Sequence, residues 1–148
     1  MKTTRLNTLA RIILSGFLAT MIIVPFTVSA KKIPFLLSTV TPAATGYVKV
    51  KKDNNKNYQI KIHIRDLAGI EKIQPTKQTY VVWMVTDRDI TKNIGRVASS
   101  TNISGNLTGY FETVSSFQPT KIFITAEVDE SVQIPGDQIV LTTDRFWE

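Results

Sequence analysis

Any Ser-His-Asp chemistry in this chain would have to use His63, its single histidine. A Ser-His-Asp arrangement needs an imidazole oriented by a carboxylate. His63 instead sits between Lys61 and Arg65, whose charges oppose its protonation. No Gly-x-Ser-x-Gly turn is present to raise a serine nucleophile. One histidine and no cysteine leave zinc without its usual ligands and exclude thiol chemistry outright. Oxygen ligands are more plentiful. Glu127, Asp129, Glu130 and Asp137 form an acidic stretch that could hold Ca²⁺, but it lacks EF-hand spacing and reads as a solvated turn without metal. Asp87, Asp89 and Glu112 could supply paired carboxylates for glycoside hydrolysis, yet nothing in their spacing brings two together. The expectation is a protein that is not an enzyme and carries no cofactor.

Charge gives a different kind of candidate. Lys49, Lys51, Lys61 and Arg65 fall on one side of two alternating stretches, with Lys52 and Lys56 near the turn between them. Lysine on an edge hairpin guards it against edge-to-edge association, and that is the expected role. The competing role is a patch for anionic glycan or lipid headgroups.

Those residues require a hairpin to position them. In Thr45–Lys52, Val48 and Val50 oppose Tyr47, Lys49 and Lys51; residues 53–57 (Asp-Asn-Asn-Lys-Asn) are turn formers. Tyr58, Ile60, Ile62 and Ile64 then alternate with Gln59, Lys61, His63 and Arg65, a clear period of two. A slip of one residue would exchange isoleucines for charges, so the register is firmly set. The longest apolar run of this region, residues 80–85 (Tyr-Val-Val-Trp-Met-Val), predicts a central strand covered on both faces. Tyr80 and Trp83 are expected to be core anchors rather than a ligand platform. Further strands are expected over residues 93–97, with a bulge at Gly95, and over residues 107–114, 121–128 and 138–143. Residues 99–106 read as a polar loop. Six or seven short strands without helical periodicity predict an all-β, antiparallel, immunoglobulin-like sandwich.

The chain's start reads as an address. Lys2, Arg5 and Arg11 precede an apolar stretch over residues 12–24, and Val28-Ser29-Ala30 is a signal-peptidase pattern. The expected organisation is a signal peptide over residues 1–30, an extended lead-in over 31–44 and the sandwich over 45–148. Removing Lys2, Arg5 and Arg11 with that segment leaves 15 basic against 12 acidic residues, a net +3. So mild a charge gives no footprint for nucleic acid. A domain of this size forms a core without disulfides, which accords with export of a cysteine-free chain to the periplasm or beyond the cell.

A resemblance follows from the order of these elements. Tyr80 and Trp83, the short strand with Gly95, Glu127 and Ser131, Pro135-Gly136 and the closing Ile139-Val140-Leu141 resemble the C-terminal extracytoplasmic domain of anti-sigma-K-type anti-sigma factors. The likeness spans residues 45–143. Val128-Asp129-Glu130 departs from the family's Pro-Gly-Gly, and the sigma-binding helices have no counterpart. The resemblance implies a standalone, exported relative of a sensory domain. The expected function is a non-catalytic binding or sensory module for another envelope protein. The alternative is a structural or adhesive component that binds anionic glycan or lipid headgroups through the basic hairpin.

Overall fold

A computed structural model describes residues 30–103 and 105–147, and the expected signal segment lies outside them apart from Ala30. Among the described residues the chain forms nine strands: β1 (Lys31–Pro34), β2 (Thr45–Lys52), β3 (Tyr58–Leu67), β4 (Thr79–Thr86), β5 (Thr91–Arg96), β6 (Ala98–Thr101), β7 (Leu107–Ser115), β8 (Pro119–Glu127) and β9 (Ile139–Thr142). They build two antiparallel sheets, ordered β1-β2-β3-β7-β6 and β5-β4-β8-β9. Setting β1 aside, β2 to β9 follow the A, B, C, C′, D, E, F, G connectivity of an immunoglobulin-like sandwich.

Alternation dictates the core. Ile60, Ile62 and Ile64 of β3 face Val82 and Met84 of β4, Ile122 and Ile124 of β8 and Leu141 of β9, and all are essentially inaccessible to solvent. Each such side chain contributes ~1.5–3 kcal/mol of transfer free energy before its lost rotamer freedom is deducted. The β2–β3 turn forms because Asp53 Oδ1 accepts the N–H groups of both Asn55 and Asn57, while Lys56 takes a left-handed φ of 64°. At Gly95 the chain bulges with φ +130°, and an added Cβ would lie 2.9 Å from the Phe111 ring. Only glycine satisfies both demands.

The strand count exceeds six or seven because β1 and β6 join the seven expected. Residues 31–44 are not merely a lead-in: Ile33 packs into the core, and β1 pairs along β2. The main chain then crosses sheets. The N–H of Phe35 donates to Gly46 of β2 and that of Leu36 to Thr142 of β9. On the opposite side the Val97 N–H donates to Tyr80 of β4, and Ala98 begins β6 in the other sheet. Both flanks of the sandwich are thus stitched by chain passing between sheets. β6 escapes sequence reading because all four of its residues are exposed and none alternates; its pairing with β7 alone makes it a strand.

Candidate functional site

Pairing of β1, β2, β3 and β7 aligns two rows of side chains across the outer face of the five-stranded sheet. Lys32, Lys49, Lys61 and Glu112 are successive partners in one row; Pro34, Tyr47, His63 and Tyr110 are partners in the next. The rows lie two residues apart along each strand, roughly 6.8 Å. Lys51 and Arg65 occupy the same face at either end, because they share the parity of Lys49 and His63.

The second row is a ladder of rings. Lys32 Nζ lies 4.1 Å from the Tyr47 ring centre. Tyr47 stacks on His63 with centroids 5.4 Å apart, and His63 meets Tyr110 edge-to-face at 4.9 Å. The row thus offers phenol and imidazole groups on this face, with the Tyr110 hydroxyl already donated to the Glu112 carboxylate.

Glu112 ends the first row with both carboxylate oxygens engaged. Lys61 Nζ donates to Oε1 at 2.8 Å and Gln59 Nε2 to the same oxygen at 2.9 Å; the Tyr110 hydroxyl donates to Oε2 at 2.5 Å. The Lys61 hydrogen bond, followed by that from Tyr110, holds the Glu112 carboxyl below the usual carboxylate range. The same contacts raise Lys61 and Tyr110 above their ordinary values. None of the ion pairs among the described residues involves Lys32, Lys49, Lys51 or Arg65.

Four of the six expected patch residues, Lys49, Lys51, Lys61 and Arg65, share this face. Lys52 does not: it has the parity of Val50 and lies over the Tyr58 ring at 5.3 Å. Lys56 sits in the turn. The structure also corrects the role expected for these charges. Both strands of the hairpin are interior, since β2 lies between β1 and β3 and β3 between β2 and β7. Lysines there guard no edge. Lys32, Tyr110 and Glu112 complete the site and escape sequence reading because only long-range pairing brings them alongside β2 and β3; Tyr47, on β2 itself, lies on the face that its alternation with Val48 predicts.

The other outer face, on the four-stranded sheet, is covered. Val81, Trp83 and Val85 of β4 and Phe123 of β8 form a second apolar cluster closed by Val132 from the β8–β9 connection. Trp83 is fully buried, but it faces away from the space between the sheets, whereas Tyr80 faces into it. Under the connection runs a buried polar chain. Trp83 Nε1 donates to Thr125 Oγ1 at 2.7 Å, and the Thr125 hydroxyl donates to Glu127 Oε1 at 2.5 Å. The Gly136 N–H donates to that same oxygen. Two of the other acidic residues of this stretch have separate partners: Asp129 accepts from Ser131, and Glu130 pairs with Arg96. Among the described residues no group of three His, Asp or Glu side chains is placed to hold a metal ion.

One end of the sandwich carries a cleft of about 740 Å³, with Asp66, Glu71, Lys72 and Arg96 among its lining residues. The Tyr80 hydroxyl reaches the same end, donating to the Ala68 carbonyl, and burial pushes its pKa up to about 12. Charges of both signs line the cleft, so it lacks the strong positive excess of the five-stranded face. Comparison with protein-family models, curated proteins and solved structures finds no match for this chain.

Proposed function

We propose that this chain is an exported, non-catalytic binding domain that holds an anionic polysaccharide against the outer face of its five-stranded sheet. The observation that carries the reading is charge balance: five cations, Lys32, Lys49, Lys51, Lys61 and Arg65, share a face with one carboxylate, Glu112. A surface with so large an excess of one sign attracts a polyanion. The donors beside it, Tyr47, His63 and Tyr110, suit the oxygen-rich groups of a glycan. Export is supported by the basic and apolar pattern of residues 1–30.

The competing partners are served less well by this face. Protein interfaces take most of their energy from apolar anchors buried at the centre, and among the described residues the large apolar side chains exposed on this face are Tyr110 and Val114, both on β7. Insertion into lipid needs a larger apolar surface than that pair provides. Binding to immobilised polygalacturonate, measured by biolayer interferometry at low and physiological salt, tests the reading. Salt-sensitive binding that falls at least tenfold in Lys49→Gln/Lys51→Gln/Arg65→Gln is expected, since each lost charge weakens a screened attraction. Binding only to anionic vesicles, or only to a purified envelope protein, would overturn it.

A further inference from the structure

Glu112 sits in a set of donors that engages both oxygens of its carboxylate. It is exposed on the sheet surface, yet three side chains from two strands converge on it: Lys61 and Gln59 of β3 and Tyr110 of its own strand. The donors divide over the two oxygens, Lys61 and Gln59 to Oε1 and the Tyr110 hydroxyl to Oε2. That is complete recognition of a planar, two-oxygen anion by one ammonium, one amide and one phenol. It lies at the end of the lysine row, where a polyanion crossing Lys32 and Lys49 would arrive.

Resting on the polysaccharide reading above, we propose that Lys61, Gln59 and Tyr110 form a carboxylate subsite, which takes a uronate group of the bound glycan and which Glu112 fills when no ligand is present. Glu112 is held by these surface interactions, and its side chain is 34% exposed. A uronate carboxylate entering the subsite makes the same three bonds, so the exchange leaves no donor unpaired. Lys49, directly across from Lys61, adds a second cation further along the same row. The competition also sets a preference. A ligand must displace a carboxylate from a two-oxygen fit, which favours another carboxylate over tetrahedral sulfate. Weak or isolated anions do not displace Glu112, and the repeated acid groups of a polymer do.

The test compares the parent chain, Glu112→Ala and Glu112→Ala/Tyr110→Phe on polygalacturonate and on dextran sulfate. Glu112 is a surface residue, and thermal unfolding of each variant checks that the sandwich persists. The expected result is a gain of roughly tenfold on polygalacturonate for Glu112→Ala, the size of one charge-assisted hydrogen-bond set released for the ligand. The gain on dextran sulfate should be smaller, and Tyr110→Phe should remove most of the polygalacturonate gain. If the parent binds polygalacturonate and Glu112→Ala gains nothing, or gains equally on both polymers, the subsite is wrong and the polysaccharide reading stands. If neither protein binds either polymer, both fall.

Discussion

The sandwich has two outer faces, and they have opposite fates. On the four-stranded sheet β4 carries Val81, Trp83 and Val85 outward, and eleven residues between β8 and β9 fold back to cover them. On the five-stranded sheet β2 and β3 carry Tyr47, Lys49, Lys61 and His63 outward, and these remain at the surface. The difference is already in the period of the strands. β4 is apolar at every position from Tyr80 to Val85, because both of its faces are packed; β3 alternates, because one is not. The covered face therefore stabilises the domain, and the open one is available to a ligand.

Substitutions on the two faces should separate these roles most widely at Trp83. Trp83→Ala should cost ~3–5 kcal/mol through the cavity left under the connection, with loss of much of a typical total stability of ~5–15 kcal/mol. His63→Ala on the open face should change stability by no more than about 1 kcal/mol, since it loses only half-buried ring contacts with Tyr47 and Tyr110. Urea unfolding of both variants measures the contrast; equal costs would erase it.

A smaller effect is expected from the buried polar chain. Thr125→Val keeps the shape of the side chain but leaves the Trp83 indole N–H without its acceptor and Glu127 with one donor fewer. The expected cost is ~1–3 kcal/mol, the penalty of a buried unpaired polar group. It should be visible as a lower urea midpoint at an unchanged slope. Gly136 is close to this network: a Cβ there would lie 3.0 Å from the Glu127 carboxylate. Gly136→Ala should therefore add strain at the connection while leaving the open face untouched.

On the open face the same kind of change should scarcely move stability. Lys49→Gln relieves repulsion with Lys61, its direct cross-strand partner, so it should be neutral or stabilising by a fraction of ~1 kcal/mol. The Lys61–Glu112 pair should give a pH signature of known sign. The lowered Glu112 carboxyl contributes fully above the ordinary carboxylate range and loses its contribution as pH falls through its depressed value. The raised Lys61 contributes below its ordinary range and loses it as pH rises through its elevated value. Stability curves of the parent and Glu112→Ala should thus differ by a constant, small amount through neutrality and converge at the acid end. The pair is exposed, so the difference should be small.

Much of this fold is legible in local pattern. The alternation of Tyr58 to Arg65, the Asx turn at Asp53, the bulge at Gly95 and the doubly covered run at Tyr80 to Val85 all follow from side-chain chemistry within a few residues. β1 and β6 do not, because each is a strand only through its neighbour. Trp83 was legible as buried and not in its direction: which face of β4 lies between the sheets depends on what the β8–β9 connection covers. The site was half legible. Lys49, Lys51, Lys61 and Arg65 announce a shared face, but their edge-guarding role fails once β1 and β7 flank the hairpin. Nor does any local pattern set Glu112 and Tyr110 beside Lys61 and His63; a pairing between segments about fifty positions apart does that.

The central claim is that the open face binds and the covered face only packs. Its most direct test is a ¹H–¹⁵N NMR titration of the chain from Lys31 with polygalacturonate oligomers, followed amide by amide. The expected result is a continuous set of shifts over Lys49, Lys61, His63, Arg65, Tyr110 and Glu112 that fades as salt is raised, with the amides of Trp83, Phe123 and Val132 unmoved. Shifts centred on the β8–β9 connection or on the end cleft, or none at all, would contradict it.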